Sequence, residues 1–303
     1  MNVKTKKRSP SHGGMVEDVS IGARISQTII ALAVGLLALI CILPMWHVLM
    51  SSISDGFDLM GHGGLVWWPV GEVNLNGYRL AFSNPNIISG YTNTLVYVLG
   101  TVAVGFLLNV FGGYALSRQT RLKPFMMVFI VFPMLFGGGM IPTFMILQGL
   151  NLVGTRWAII LLEATMGIYI ILGMRAFMSV PPATVETARI DGAGHLRTMF
   201  QVMLPQCKGL FMVTILMTFV ASWNSWLTAS IYVSGDRSRW PLQLWINQVI
   251  SENADILRGA NPNFDRFLIQ FAVVAIATVP MLVAIPFLQK YIEAGVLQGA
   301  VKE

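Results

Sequence analysis

The apolar stretches of this chain hold one carboxylate, Glu163, and one histidine, His47. An ionisable group at membrane depth marks a candidate functional position, paired with a neighbour or facing water. Glu163 could line a path or accept a hydrogen bond from an adjacent helix. His47, near the end of its stretch, reads as an interfacial residue. A second group is Trp223-Asn224-Ser225-Trp226. An amide beside aromatic faces suits sugar hydroxyls and sugar rings, and the same side chains can act as glue between helices. A third is Pro133-Met-Leu-Phe-Gly-Gly-Gly-Met-Ile-Pro142, centred on Gly138. Such a run breaks an apolar helix, and the freed backbone groups must be met by neighbouring protein. The break either lines a cavity or lets helices pack closely.

The fourth group is polar: Ser179-Val-Pro-Pro-Ala-Thr-Val-Glu-Thr-Ala-Arg-Ile-Asp-Gly-Ala-Gly-His-Leu-Arg-Thr-Met-Phe-Gln-Val-Met-Leu-Pro205. Pro181 and Pro182 stop one helix and suit the first turn of another. Ala183–Ile190 should form a short helix. Gly192 and Gly194 bracket a turn, because glycine tolerates positive φ. A second helix over His195–Met203 should end before Pro205. Val185, Ala188, Met199, Phe200 and Val202 offer apolar faces, and Glu186, Arg189, Asp191 and Arg197 polar ones. The product is a helix–turn–helix knob suited to a groove on a partner.

Other chemistry lacks support. The chain has no Gly-x-x-x-x-Gly-Lys-Ser/Thr loop to cradle nucleotide phosphates. It has no His-Glu-x-x-His, Cys-x-x-Cys or Asp-rich cluster, so no metal and no cofactor is expected. Cys41 and Cys207 suggest neither a disulfide framework nor a metal site.

The elements that must position these groups are membrane helices. Of the 303 residues, 55% are hydrophobic and only 11% charged, where a soluble domain carries about 25% charged residues. Mean hydropathy is +0.66. These values exclude disorder and nearly exclude a soluble enzyme. Six apolar stretches, Thr28–Met50, Tyr91–Leu116, Phe125–Leu147, Trp157–Met174, Leu210–Val233 and Phe267–Leu288, are each about 18–26 residues long, against about 20 needed to cross. The first is too long for a signal peptide and has no small-residue cleavage site after it, so it is expected to be retained. Fourteen of the 20 Lys/Arg fall in the tails and in the loops after the second and fourth stretches. The positive-inside rule makes that side cytoplasmic. The net charge of +6 then reflects topology, with no nucleic acid implied. The expected fold is an all-α integral membrane protein with six transmembrane helices and both termini cytoplasmic. Residues 1–27 form an N-terminal tail, 28–290 the membrane domain with its knob at 181–205, and 291–303 a C-terminal tail. Two long outer loops, Ser51–Gly90 and Ser234–Arg266, carry Trp67, Trp68, Trp240 and Trp245, which suit a headgroup belt.

The knob resembles the cytoplasmic signature of bacterial ABC importer permeases of the maltose type. That pattern is Glu-Ala-Ala, three residues, Gly, nine residues, then Ile-x-Leu-Pro. Here Glu186-Thr187-Ala188, Gly192 and Val202-Met203-Leu204-Pro205 stand at that spacing, with Thr187 and Val202 as the departures. The glycine-rich run around Gly138 resembles the subgroup tied to complex or plant-wall oligosaccharides. Trp223-Asn224 and Gly295-Val-Leu-Gln-Gly-Ala-Val-Lys302 also resemble this family.

The resemblance implies a bacterial inner-membrane transport subunit with no catalytic residue of its own. Glu186, Ala188, Asp191, Gly192, Leu204 and Pro205 would couple to an ABC ATPase dimer. Trp223, Asn224, Trp226, Gly138 and Glu163 would line an oligosaccharide path. A second permease, usually unlike the first, would complete the channel, and an extracytoplasmic binding protein would deliver the sugar to the membrane domain. The outer loop 234–266 would probe that protein's sugar cleft. The residues alone leave two other readings open. One is an ion-coupled secondary transporter using Glu163. The other is a membrane enzyme, which would need clustered Asp, His or Lys at one face.

Overall fold

The computed structural model describes residues 21–251, 268–283 and Pro286. Every regular element among them is helical. The helix α1 (Ile21–Ser52) is followed by α2 (Gly56–Gly61), α3 (Asn76–Ser83) and α4 (Pro85–Ser117). Then come α5 (Lys123–Leu135), α6 (Met140–Gly149), α7 (Arg156–Ala164) and α8 (Gly167–Met178). The knob is α9 (Pro182–Ile190), α10 (His195–Arg197), a π-turn over Thr198–Met203 and α11 (Leu204–Gln206). The chain continues with α12 (Lys208–Trp223), α13 (Leu227–Tyr232), α14 (Leu242–Ser251) and α15 (Leu268–Val283).

The helix α4 organises the rest. Asn84 accepts from the Asn86 amide to cap it, and Pro85 occupies its first turn, where a missing N–H costs nothing. Its buried positions recur every three or four residues: Asn93, Tyr97, Thr101, Gly105, Asn109, Gly113 and Leu116. Small residues on that stripe let backbones approach closely. A Cβ on Gly113 would stand 2.6 Å from the Gly173 carbonyl carbon, and one on Gly173 would stand 2.7 Å from the Asn109 oxygen. The helices α4 and α8 therefore touch backbone to backbone.

Two helices, α1 and α4, are individually long and apolar enough to cross a membrane. Three bent pairs qualify if each pair is one span: α5 with α6 at 119°, α7 with α8 at 46°, and His195–Gln206 with α12 at 84°. The stretch Phe125–Leu147 is broken at the glycine run around Gly138. The chain stops at Leu135, passes through Gly137–Gly139 with Gly139 at φ +82°, and restarts at Met140 in a sharply different direction. Three successive glycines supply the backbone freedom for that turn. The fourth and fifth stretches also break, at Thr165-Met166 and at Asn224–Trp226. The tail sequence Gly295–Lys302 and loop residues 252–267 lie outside the described residues.

His47 has a structural task. Its Nδ1 accepts the Val66 amide at 3.1 Å, and its ring meets Phe271 edge-on at 5.7 Å, which fastens the outer loop to the end of α1.

Candidate functional site

The knob is held from below and bare on top. Val185, Met199 and Met203 are buried in one cluster with Ala176, Phe177, Val180 and Phe211, and Ala188 is buried as well. Ala188, expected to meet an ATPase, is buried within the chain. Leu204 packs against the same cluster. Glu186, Asp191, Gly192 and Pro205 are exposed. The outer surface also carries Ile190, 86% exposed, and Leu196, 64% exposed. Neither stood out in the sequence. The signal was there: Ile190 lies two positions after Ala188, about 200° around the helix, so an inward Ala188 forces Ile190 outward.

The turn between the two halves is a complete Schellman stop. The Ala193 amide donates to the Ala188 carbonyl at 2.9 Å, and the Gly192 amide to the Arg189 carbonyl at 3.0 Å. Gly192 takes φ +75° between them, the left-handed position that glycine fills at helix ends. The motif's invariable-looking glycine therefore has a geometric cause: it ends α9 and aims α10.

The second half of the knob corrects an expectation. The helix does not end before Pro205 but runs through it to Gln206. Proline has no N–H and its ring crowds the carbonyl one turn back. The π-turn over Thr198–Met203 widens the backbone just ahead of it, and so the proline is accommodated. A latch ties this half to the end of α4. Arg118 stacks over the Tyr114 ring at 4.4 Å and donates to Met203 Sδ at 3.0 Å. The Tyr114 hydroxyl meets His195 Nδ1 at 3.2 Å. Cys207, just before α12, is buried, and that burial pushes its thiol up to about 12.

A separate cavity of about 230 Å³ opens where α7 gives way to α8 and α12 to α13. Glu163, Asn224 and Trp226 share its wall with Tyr169 and Ser225. Three of the five expected path residues are thus brought together. Trp226 is half exposed. The Asn224 amide donates to the Val220 carbonyl at 2.9 Å, which leaves its oxygen for other donors. Both Glu163 oxygens are buried, with the hydroxyl side chains of Ser225, Ser222 and Thr228 close by. Thr228 joins the same wall. Ser222 and Thr228 were missed in the sequence, and Ser225 appeared there only within the Trp223–Trp226 run.

The other two path residues lie elsewhere. Gly138 sits in the open break between α5 and α6, with only Pro142 near it. Trp223 is 3% exposed, donates its indole N–H to the Ala277 carbonyl at 3.3 Å and lies against Tyr91 and Phe219. That placement makes it packing between α4, α12 and α15, in place of a path-lining residue.

At the end opposite the knob a polar network clamps the outer loop. The Asn93 amide donates to the Ser238 carbonyl at 2.7 Å and to the Trp240 carbonyl at 3.1 Å, and Arg156 donates to Asn93 Oδ1 at 2.8 Å. Tyr97 donates to the Arg239 carbonyl at 2.8 Å, and Arg239 pairs with Asp236 at 2.9 Å and reaches the Gly154 carbonyl. Trp240 and Trp245 are buried, with ring centroids 4.7 Å apart. They serve as core, correcting the reading that placed them in a headgroup belt or at a partner. Trp67 and Trp68 are exposed, as a belt requires.

Residues 104–298 match the family described as the binding-protein-dependent transport system inner membrane component. The chain is 32% identical over 274 residues to the polygalacturonan/rhamnogalacturonan transport system permease protein YtcP of Bacillus subtilis, covering 88% of this chain and 94% of that one. It is 30% identical over 278 residues to protein LplC of the same organism, covering 89% and 92%. Its fold matches a chain of a bacterial ABC transporter involved in the import of the acidic polysaccharide alginate, with TM-score 0.82 and 26% identity over 90% of this chain and 98% of that one.

Proposed function

Because the chain belongs to the family of binding-protein-dependent transport system inner membrane components, we propose that it is the permease subunit of an ATP-driven oligosaccharide importer. Its relatives include permeases named for polygalacturonan/rhamnogalacturonan in Bacillus subtilis and for maltodextrin in Streptococcus pneumoniae. The observation that carries the coupling part of this reading is the knob. The signature residues form a rigid turn whose outer face offers Ile190 and Leu196 beside Glu186 and Asp191.

In this reading six spans cross the membrane, with both termini and the knob in the cytoplasm. An ABC ATPase dimer receives the knob of this chain and that of a second, unlike permease. A binding protein outside releases the sugar into a path between the two permeases. ATP stabilises the outward-facing arrangement and its hydrolysis releases it, so the nucleotide acts by differential binding to two states. The chain breaks no bond in the sugar. Family membership favours this reading over an ion-coupled transporter, which needs neither a binding protein nor a docking knob.

The test is gentle extraction from the native membrane followed by mass spectrometry. The expected result is recovery with an ATPase and a second permease, together with loss of oligosaccharide uptake when the gene is deleted. Recovery of the chain with no ATP-hydrolysing partner, or uptake that persists without the gene, overturns the proposal.

A further inference from the structure

Two sets of contacts hold the knob. Val185, Met199 and Met203 root it in the apolar cluster that it shares with α8, α12 and Val110 of α4. A second set reaches its rim from the end of α4. Phe111, Tyr114 and Arg118 stand at i, i+3 and i+7, a single stripe of that helix. Their partners, Phe200, His195 and Met203, all lie in the second half of the knob. The Phe111 and Phe200 rings meet edge-on at 5.9 Å, and the Tyr114 hydroxyl meets His195 Nδ1 at 3.2 Å. Arg118 lies over the Tyr114 ring and donates to Met203 Sδ at 3.0 Å. Phe111 and Phe200 are 47% and 40% exposed, and His195 is exposed. Burial of a core is therefore not what this stripe supplies. Arg118 pairs with no carboxylate among the described residues. Its flat guanidinium is used for stacking and reach, which an ammonium lacks.

The helices that hold the knob differ in reach. On the far side α8 meets the Thr165-Met166 break, with a bend of 46° into α7. The helix α12 stops at Trp223, where the chain turns towards α13. The helix α4 runs for 33 residues without interruption, about 50 Å. Its far end carries the clamp on the outer loop: Asn93 holds the Ser238 and Trp240 carbonyls, Thr94 accepts the Leu242 amide, and Tyr97 holds the Arg239 carbonyl. Element ends absorb displacement by changing φ and ψ, as hinges do. A continuous helix passes it on. Of the three, α4 is the stiff connection from the knob to the outer loop.

Resting on the importer reading, we propose that Phe111, Tyr114 and Arg118 are positioning residues for coupling: they join the second half of the knob to the end of α4 as one rigid body, so that a displacement given to the knob by an ATPase is delivered to α4 and along it to the outer loop. Without them the knob still docks, but it tilts on its apolar root and leaves α4 behind. The loss then falls on sugar moved per ATP, while ATP hydrolysis continues.

The experiment uses the complete transporter, purified with its partners and reconstituted in proteoliposomes with its binding protein. The probes are labelled maltotriose and labelled trigalacturonate, with ATP hydrolysis followed in the same vesicles. Tyr114→Ala should keep ATPase recovery and the KM for ATP, and should lower sugar moved per ATP about 5–10-fold, as loss of a stacked cation and an edge-on ring contact implies. Tyr114→Phe keeps the ring and should keep most of that ratio. Arg118→Lys keeps the charge without the plane and should lose part of it. Phe111→Ala and Phe200→Ala alter exposed side chains and should lower the ratio at normal assembly. In a Cys41→Ser background, a short bismaleimide should join Phe111→Cys to Phe200→Cys, and the linked complex should keep most of its ATP hydrolysis, because the two parts move together. Hydrolysis and transport falling in equal proportion, a ratio unchanged in Tyr114→Ala and Phe200→Ala, failure of the pair to link, or arrest of hydrolysis by the link overturns the proposal. So does loss of assembly in Tyr114→Ala with an unchanged ratio in Phe200→Ala, since Tyr114 would then serve folding alone. Recovery of the wild type without an ATPase overturns the importer reading itself, a result distinct from these. The link is read by ATP hydrolysis alone and judges the latch whichever probe enters.

Discussion

Replacing Gly192 separates backbone conformation from bulk. A Cβ built there meets nothing within 4 Å, while φ stands at +75°. The cost of a side chain is therefore conformational, about 1–2 kcal/mol for an ordinary L-residue in the left-handed region. Asparagine tolerates that region better than most, and a β-branched residue tolerates it least. Asparagine and valine have similar volumes, so they form a matched pair. A penalty of 1–2 kcal/mol corresponds to about a 5–30-fold loss in the ratio of locked to unlocked turn. Unlocking frees the Ala193–Ala188 and Gly192–Arg189 hydrogen bonds and releases the fixed angle between α9 and α10. The assay is the amount of ATPase recovered per permease, followed by sugar-dependent ATP hydrolysis in proteoliposomes. Gly192→Asn should stay near wild type, Gly192→Ala should fall between, and Gly192→Val should lose most of the coupled activity at normal membrane insertion. Equal loss in Asn and Val would refute the conformational argument, because bulk would then be the cause. Full activity in Val would refute any role for the turn.

Ile190→Ser with Leu196→Ser should leave the thermal midpoint of the purified permease unchanged, since both side chains are exposed, and should lower ATPase co-purification about tenfold as a docking contact is lost. Gly113→Ala should destabilise the protein by about 1–3 kcal/mol, as overpacking does, because its Cβ would press on the Gly173 and Met174 backbone; Gly137→Ala, with open space around it, serves as the control, and the midpoint of thermal aggregation in detergent reads both. Cys207 should resist a polar maleimide at pH 7–9 until the protein is denatured. With its thiol raised to about 12, the reactive thiolate is scarce in that range and grows about tenfold per pH unit, so rapid labelling at pH 8 would contradict its burial.

Features that depend on one residue's own geometry were legible in the sequence. Gly192 announced a turn because few other residues take positive φ, and the run Gly137–Gly139 announced a break. The knob's two helices followed from Pro182 at one start and from apolar periodicity. Features that depend on which helix lies opposite were not legible. Trp223, Trp240 and Trp245 look like sugar or headgroup contacts by type, yet Ala277 and the α4 stripe bury them. Ala188 belongs to the docking signature but is buried within the chain. Pro205 reads as a helix stop, and only the π-turn ahead of it lets the helix pass. The Glu163 cavity needs two broken helices side by side. The sequence marked Glu163 and Asn224 separately and could not show that the two breaks coincide.

The backbone contact between Gly113 and Gly173 gives α8 a fulcrum. As a 12-residue helix, α8 is a rod about 18 Å long. One end reaches the wall of the Glu163 cavity through Tyr169, and the other enters the knob cluster through Phe177. Gly173 lies between them, leaving arms of about 9 and 7.5 Å. At that point no side chain interlocks the two helices, so tilting meets its least steric resistance there. A rod pinned near its middle behaves as a seesaw. Lifting the knob end would lower the cavity end by a similar amount and in the opposite sense. Packed side chains elsewhere along α8 favour discrete positions over continuous drift. Two glycines facing each other would thus set how far each end of α8 travels when it tilts.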